Sequence, residues 1–184
     1  IVTLKAFEES DEKILLVLSS DHEIKDQLSF KKAIEIGIKD ANNGKLVTFG
    51  IKPNSPETGY GYIETKEKIS YKVIKSFPVK NFVEKPPLDK AKEYMCDDHF
   101  LWNSGIFLFK SSTMINLLKK YEPKLLALCK ESLSKSSKDY DFQRLEKKSF
   151  SLCPNISIDN AIFEKTKDAC VVPLYAGWSD VGNW

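Results

Sequence analysis

The chain has 184 residues, of which 42% are hydrophobic and 29% are charged, a balance typical of one globular domain with a substantial core. Its formal net charge is +2, from 28 basic and 26 acidic residues, which excludes the strongly basic surface of a nucleic-acid-binding protein. No apolar run approaches the roughly 20 residues that span a bilayer, and the sequence shows no secretory signal, so we expect a cytoplasmic protein without a membrane partner.

The first half of the chain alternates strand and helix patterns. The run KILLVLSS from Lys13 is continuous and apolar, as in a strand buried on both faces. A helix is predicted next, with Asp26 as its N-cap and Gly44 at its C-terminal end. The segment KLVTFGIKP is a second strand, which Pro53 ends, and a loop rich in turn formers then leads into a strand near Tyr62. The strand–helix–strand order predicts a parallel βαβ unit in a doubly wound α/β domain.

The second half continues with mixed elements. Three strands are predicted at YKVIKSF, NFVEK and GIFLFK, and a short helix, PLDKAKEYM, lies between the last two. Two helices follow, SSTMINLLKKYEP, which begins on a serine cap, and KLLALCKESL. We interpret SSKDYDF as a polar link, SIDNAIFEKT as helical, CVVPLY as a strand and AGWSDVGNW as a glycine-punctuated loop. The sequence contains neither repeats nor a second domain.

The four cysteines are widely spaced in the sequence. Cys96, Cys129, Cys153 and Cys170 form neither a CxxC motif nor the kind of Cys/His cluster that binds zinc. We therefore interpret them as reduced thiols that mostly fill the core.

Three places in the sequence could carry chemistry, because ligands of open α/β sheets bind at the carboxyl ends of strands. Asp21 directly follows LLVLSS, Glu84 and Lys85 follow NFV, and Asp180 lies in the loop after CVVPL. Two carboxylates at strand ends can hold a hard cation such as Mg²⁺ beside a phosphate. A neighbouring lysine can neutralise that phosphate as a point charge.

Each of these places also has a purely structural explanation. Asp21 can cap the next turn, and Asp180 between glycines can be an ordinary turn residue. Glu84 and Lys85 can form a solvated ion pair at a sheet edge, worth less than about 1 kcal/mol. The stretch TGYG around Tyr60 lacks the spacing of a dinucleotide-binding or P-loop motif. From the residue types alone, both explanations stay open.

Six stretches that occur in order along nearly the whole chain resolve this choice: SSDHEIKD, VTFGIKPNSPETGYGYIE, FVEKP, WNSGIFLF, SIDNAIFEKT and GWSDVGNW. Together they resemble the mannose-1-phosphate guanylyltransferase (GDP-mannose pyrophosphorylase) family of sugar nucleotidyltransferases. FVEKP recurs in several sugar-nucleotide pyrophosphorylases, whereas PETGYGYI, WNSG and GWSDVG together indicate the mannose/GTP branch. The resemblance is to the bacterial type II bifunctional members, whose C-terminal cupin domain has mannose-6-phosphate isomerase activity.

The resemblance implies a fold and a reaction. The fold is a Rossmann-like, GT-A-like α/β nucleotidyltransferase domain, with a mostly parallel mixed sheet flanked by helices. The reaction is nucleotidyl transfer from GTP to mannose 1-phosphate, which gives GDP-mannose and pyrophosphate for polysaccharide biosynthesis. The implied cofactor is Mg²⁺, the implied partners are GTP and mannose 1-phosphate, and the resemblance leaves room for a homo-oligomer.

The resemblance also implies roles for individual residues. Asp21 and Asp180 are similar to the two metal-binding aspartates, and Lys85 is similar to the residue that contacts the phosphate of the sugar 1-phosphate. These three residues are therefore expected to be catalytic. Glu84 is expected to bind sugar hydroxyls. In total, the resemblance implies that four residues contact the substrates: Gly61, Glu84, Lys85 and Asn103.

Two departures from the family pattern affect this interpretation. The family's glycine-rich GGxGTRLWP-type loop and its PKQ-type segment, which carry a catalytic arginine and part of the base site, do not occur in the sequence. The serines of SSDH replace the PADH that the family often has, while Asp21 is kept. We therefore expect residues 1–184 to be the central and C-terminal part of the catalytic domain, with the nucleotide-binding loop and any cupin domain outside this sequence.

Two alternatives to the mannose/GTP reaction stay open. One is another sugar-1-phosphate nucleotidyltransferase, acting on glucose 1-phosphate with UTP, dTTP or ATP, since the base-reading residues belong mostly to the missing loop. The other is a non-catalytic regulatory paralogue that binds a nucleotide sugar. Retention of Asp21, Lys85 and Asp180 argues against the second alternative.

Overall fold

A computed structural model of the protein describes residues 1–70 and 73–181. The helices within these residues are α1 (Val2–Glu9), α2 (Gln27–Asn42), α3 (Leu88–Met95), α4 (Ser111–Tyr121), α5 (Pro123–Ser134), α6 (Lys147–Ser151) and a π-helical turn, Asp159–Phe163. The strands are β1 (Ile14–Val17), β2 (His22–Ile24), β3 (Leu46–Ile51), β4 (Tyr62–Thr65), β5 (Phe77–Val83), β6 (Phe100–Lys110), β7 (Ser137–Asp139), β8 (Phe142–Arg144), β9 (Ala169–Pro173) and β10 (Trp178–Asp180). Over the described ranges, no helix is both long enough and apolar enough to cross a membrane.

The chain folds into two compact units. Unit 1 combines Ile1–Lys13 with Ser111–Thr166, and unit 2 combines Ile14–Lys110 with the chain from Lys167 onward. All the candidate site residues identified from the sequence therefore lie in unit 2.

Unit 2 is built around a six-stranded mixed sheet. Its strand order is β1-β6-β3-β9-β5-β4, and β4 also pairs with β6. The eleven-residue strand β6 is long enough to pair with β4 through its first residues and with β1 through its last. The pairings β6–β3, β3–β9, β9–β5, β5–β4 and β4–β6 therefore form a closed circuit of five strands.

The mixed sheet flanked by helices is as predicted, but the expectation that it is mostly parallel is wrong for the described strands. Only β3 and β9 pair in parallel, and the other pairs in this sheet are antiparallel. The predicted βαβ unit is not formed, because β1 and β3 run in the same direction but are not neighbours in the sheet. Strand β6 lies between them and pairs antiparallel with both. A strand from more than 50 residues later in the chain leaves no local signal at this position.

Helix α2 follows its predicted boundaries. The Asp26 side chain caps its start, with Oδ1 accepting from the amides of Leu28 and Ser29, each at 3.0 Å. Gly44, with φ of +79°, closes its C-terminus. The buried face of α2 consists of small residues, Ala33, Gly37 and Ala41. A Cβ at Gly37 would lie 3.2 Å from Cγ1 of Val47, so this face allows the helix to pack closely on β3.

The inside of the strand circuit is tightly filled. A Cβ at Gly50 on β3 would lie 2.7 Å from Cβ of Leu101 on β6 and 2.8 Å from Cγ2 of Val171 on β9. The side chains of Leu101 and Val171 therefore fill the space that a side chain at Gly50 would need, and the core has no room for a larger residue there.

Strand β1 is less buried than predicted, since we expected a strand buried on both faces. It lies at one end of the strand order, and Leu16 and Val17 are 36% and 40% exposed. The continuous apolar run predicted the strand correctly, but not its position at the edge of the described sheet.

Unit 1 contains α1, α4, α5, α6 and the hairpin formed by β7 and β8. One cluster of its core is formed by Leu4, Ile115, Leu126 and Leu133. One prediction in this unit needs correction. The segment SSKDYDF is not a link but part of the β7–β8 hairpin, which turns at Tyr140 with φ of +52°. The segment SIDNAIFEKT is helical as predicted, but its helix is a π-helix of five residues, Asp159–Phe163.

Two further predictions in unit 2 differ from the structure. In YKVIKSF, Tyr71 and Lys72 lie outside the described residues, and only Phe77 belongs to a strand, as the first residue of β5. In AGWSDVGNW, Trp178–Asp180 is the strand β10, not a loop, and the last three residues lie outside the described range.

Candidate substrate site

The two aspartates predicted to bind a metal lie next to each other in unit 2. Strand β2 pairs antiparallel with β10, and His22 faces Asp180 in this ladder. One residue further along, the amide of Val181 donates to the carbonyl of Asp21 at 2.9 Å. The short ladder thus brings together two residues from opposite ends of the sequence, which we call the aspartate pair.

The aspartate pair suits a hard cation that keeps other ligands. Both aspartates are exposed. No group of three or more His, Cys, Asp or Glu side chains suited to a metal occurs in the parts of the chain that the structure describes. Mg²⁺ is commonly bound by one or two carboxylates, with phosphate and water oxygens as its remaining ligands. Asp21 and Asp180 therefore supply at most two of the ligands that such an ion needs.

A second group of predicted residues meets where the first residue of β4 and the last residue of β5 pair beside the early part of β6. Tyr62 on β4 lies between Val83 on β5 and Trp102 on β6, and both pairings are antiparallel. The next residues beyond these three positions are Gly61, Glu84 and Asn103, which we call the three-strand corner. The amide of Asn103 donates to the carbonyl of Gly61 at 2.7 Å. A Cβ at Gly61 would lie 2.8 Å from Oε2 of Glu84 and 3.5 Å from Cβ of Asn103.

The side chain of Asn103 is fixed by its neighbours. Its Oδ1 accepts from the Thr48 hydroxyl at 3.3 Å and from the Gly105 amide at 3.2 Å. The pairing of β3 with β6 shifts register here, and Gly105 takes the left-handed conformation, with φ of +69°. Such a bulge turns a side chain toward a new direction, and here it orients that of Asn103.

Lys85 follows β5 in a strained conformation. Its φ is +44°, a left-handed value that costs a residue with a Cβ about 1–2 kcal/mol. Its Nζ lies 3.3 Å from Oε1 of Glu84, and more than half of each side chain is exposed. An ion pair so exposed to water contributes little to stability, so both side chains can exchange this contact for a ligand.

A row of aromatic rings connects the aspartate pair to the three-strand corner. The ring of His22 meets that of Trp178 at a centroid distance of 5.1 Å, Trp178 meets Tyr60 at 5.8 Å, and Tyr60 meets Trp102 at 5.3 Å, all edge-on. Burial raises the pKa of the Tyr60 hydroxyl above its ordinary value, and the negative charge of Asp180 adds to this rise.

Sequence reasoning missed this aromatic row. In the part of the chain that the structure describes, Nδ1 of His22 and Nε1 of Trp178 are buried without a hydrogen-bond partner. Such atoms are rare in proteins and are usually satisfied by water or a ligand. Aromatic residues beside glycines, as in TGYG and GWSDVG, were the signal that could have identified the row.

Comparison with known proteins shows the family to which the chain belongs. The sequence matches the family described as "Nucleotidyl transferase" over residues 1–184. It is 45% identical over 177 residues to the mannose-1-phosphate guanylyltransferase of Escherichia coli (strain K12), covering 96% of this chain and 37% of that protein. It is 44% identical over 184 residues to the xanthan biosynthesis protein XanB of Xanthomonas campestris pv. campestris (strain B100), covering 100% of this chain and 38% of that protein.

Among solved structures, the mannose-6-phosphate isomerase from Helicobacter pylori superposes with a TM-score of 0.84 and 36% sequence identity, covering 97% of this chain and 68% of that chain. The chain spans about two fifths of the length of the curated relatives named above. The resemblance stated from the motifs and the nucleotidyltransferase fold are thus confirmed, and the chain belongs to the nucleotidyl transferase family.

Proposed function

We propose that the protein transfers a guanylyl group from GTP to mannose 1-phosphate, giving GDP-mannose and pyrophosphate. The observation that carries this proposal is the three-strand corner, where strand register places Gly61, Glu84 and Asn103 beside Lys85. A carboxylate, an amide and an exposed cation suit a ligand that has both hydroxyls and a phosphate. The names of the curated relatives support mannose 1-phosphate as that ligand.

Glu84 and Lys85 have different roles in this proposal. Lys85 neutralises the phosphate of the sugar 1-phosphate, because a phosphate without a counter-charge in a partly desolvated site is costly. Glu84 and Asn103 accept and donate hydrogen bonds with the sugar hydroxyls. A site built for particular hydroxyls discriminates between sugars, because the wrong sugar leaves buried polar groups unpaired.

The transfer itself needs positioning more than acid–base chemistry. A phosphate oxygen of mannose 1-phosphate attacks the α-phosphorus of GTP in line. A new oxygen–phosphorus bond forms, the bond to the bridging oxygen breaks, and pyrophosphate leaves. The attacking oxygen is already anionic, so no general base is required. Asp21 and Asp180 would hold a Mg²⁺ ion, whose contribution would be to neutralise phosphate charge.

The aromatic row supports the placement of the two substrates. It joins the aspartate pair, where we place the nucleotide phosphates, to the three-strand corner, where we place the sugar. We propose no isomerase role for these residues, although one related structure is named an isomerase. The cytoplasmic location and the homo-oligomer expected from the sequence stay predictions.

A two-by-two substrate comparison tests the proposal. Pyrophosphate release is measured in the intact protein with GTP or UTP, each combined with mannose 1-phosphate or glucose 1-phosphate. We expect GTP with mannose 1-phosphate to give the highest kcat/KM. A higher value for UTP with glucose 1-phosphate would identify a different sugar nucleotidyltransferase. Binding of GDP-mannose without turnover of any pair would identify the regulatory paralogue instead.

A further inference from the structure

Two cysteines in unit 1 lie in direct contact. The Sγ atoms of Cys129 and Cys153 are 4.0 Å apart. Cys129 is on α5, Cys153 lies just beyond α6, and both side chains are half-buried. The thiol of Cys153 also donates to the carbonyl of Ser149 at 3.8 Å.

This contact is held in place by the packing of α5 against α6. The Ser132 hydroxyl donates to the carbonyl of Glu146 at 2.9 Å, and the Glu146 amide donates back to the Ser132 carbonyl at 3.1 Å. On α5, Cys129 packs with Leu126 and Leu133, which lie three positions before it and four positions after it on the same helical face. The two thiols are therefore positioned by folded elements on both sides.

We propose that Cys129 and Cys153 are a site of reversible disulfide formation, which braces α5 covalently to the segment that follows α6. A disulfide requires the sulfur atoms to approach to about 2.05 Å, so each thiol has to turn by roughly an ångström toward its neighbour. Rotation about χ1 of a cysteine at a helix end can supply this movement.

The chemistry is thiol–disulfide exchange with a small-molecule disulfide as oxidant. The thiolate of one cysteine attacks the oxidant, forms a mixed disulfide and releases one small thiol. The second cysteine then attacks the protein sulfur of that mixed disulfide and releases the other small thiol. The protein dithiol loses two electrons and two protons, and the oxidant takes them up as two thiols.

The other two cysteines provide internal comparisons. Cys96 is exposed and Cys170 is buried. Burial raises the pKa of the Cys170 thiol to about 12, so that thiol stays protonated and unreactive. Burial, with Cys129 beside it, also raises the pKa of Cys153. Exchange at the proposed site is therefore expected to accelerate as the pH rises.

The test uses the purified chain in buffers that contain oxidised and reduced glutathione at a series of ratios, followed by alkylation and peptide mapping. We expect one cross-linked peptide pair joining Cys129 to Cys153, and a chain mass lower by two hydrogen atoms before alkylation. The Cys129→Ser and Cys153→Ser variants should each lose the cross-link. The Cys96→Ser variant should keep it and should remove any disulfide between chains.

Thermal unfolding shows whether the cross-link acts as a brace. We expect the oxidised wild-type chain to melt several degrees above the reduced chain, because the cross-link restricts the unfolded state. The Cys129→Ser variant should show no such difference. Separate glutathione adducts on Cys129 and Cys153 without a cross-link would overturn the proposed site. A cross-link that leaves the melting temperature unchanged or lowers it would overturn the proposed brace.

Discussion

A side chain at position 61 would collide with the carboxylate of Glu84, because a Cβ there would lie 2.8 Å from Oε2. Gly61 therefore sets the position of the carboxylate. We predict that Gly61→Ala displaces the Glu84 side chain and weakens binding of mannose 1-phosphate about tenfold or more, equivalent to at least about 1.4 kcal/mol. The melting temperature should change little, since the displaced atom is at the end of a flexible side chain. Isothermal titration calorimetry measures the affinity.

The neighbouring Gly59 supplies the matched control for this variant. A Cβ at Gly59 would have nothing within 4 Å, so Gly59→Ala should bind mannose 1-phosphate as the wild type does. Equal affinities for Gly61→Ala and the wild type would show that the three-strand corner does not hold the sugar phosphate.

Lys85 combines a charge at the site with a strained backbone, and two variants separate these properties. We predict that Lys85→Ala raises the KM for mannose 1-phosphate about tenfold or more, with little change in the KM for GTP. Lys85→Gly should lose the same binding. It should nevertheless raise the free energy of unfolding by about 1 kcal/mol, because glycine takes a φ of +44° without a steric penalty. An equal rise of both KM values in Lys85→Ala would assign the lysine to the nucleotide.

Glu84 should determine the choice of sugar. We predict that Glu84→Gln narrows the preference for mannose 1-phosphate over glucose 1-phosphate, since its hydrogen bonds to the hydroxyls change. The measurement is the ratio of kcat/KM for the two sugar phosphates, compared with the same ratio for the wild type. Lys80→Ala, on the same strand and paired with Glu64, is the control and should keep the ratio. An unchanged ratio in Glu84→Gln would remove Glu84 from sugar recognition.

The aspartate pair should control the dependence on the metal ion. We predict that Asp21→Asn and Asp180→Asn each lower kcat at least about a hundredfold at saturating Mg²⁺, because charge neutralisation at the phosphates is lost. Glu23→Gln is the control on the same strand, since the carboxylate of Glu23 already pairs with Nζ of Lys25 at 3.6 Å and accepts from the Ser179 hydroxyl at 3.5 Å. Near wild-type kcat in either asparagine variant would exclude that aspartate as a metal ligand.

Glu146 should make part of the stability of unit 1 dependent on pH. Its carboxylate caps α6, accepting from the amides of Lys148 and Ser149, each at 2.7 Å, and from the Ser149 hydroxyl. The hydrogen bonds from Ser149 are the main cause that lowers the pKa of Glu146 from 4.5 to about 2. Because the folded state binds this proton less readily than the unfolded state, the stabilisation is complete above the unfolded pKa. It should disappear as the pH falls through about 2.

Melting temperatures of the wild type and Glu146→Gln, recorded from neutral pH downward, test this prediction. The difference between the two proteins should shrink as the pH approaches the folded pKa. A difference that stays constant over the whole range would show that the cap does not depend on the charge of Glu146.

The parts of the fold that local chemistry determines could be predicted from the sequence. The ends of α2 follow from Asp26, whose side chain caps the first amides, and from Gly44, which takes a left-handed conformation. Both signals act over a few residues, so no knowledge of the rest of the chain is needed.

The pairing of distant strands could not be predicted in this way. The position of β6 between β1 and β3 depends on contacts between residues far apart in the sequence, and the same is true of the ladder between β2 and β10. Asp21, Glu84, Lys85 and Asp180 were candidates because they follow predicted strands, whereas Gly61 and Asn103 came only from the resemblance to a family. That Gly61, Glu84 and Asn103 meet at one corner depends on the register of three strands, which no local pattern specifies.

The closed circuit of strand pairings has a consequence for the order in which the protein folds during synthesis. Strand β9 lies between β3 and β5, but it is the last strand of the circuit that the ribosome makes. Until Ala169–Pro173 has emerged, β3 and β5 each lack a neighbour, and the apolar residues of β3 have no complete core to enter. Folding of unit 2 is therefore expected to wait until β9 has been synthesised and to be slow, because pairings between distant strands form late, and a nascent chain would depend on chaperones meanwhile.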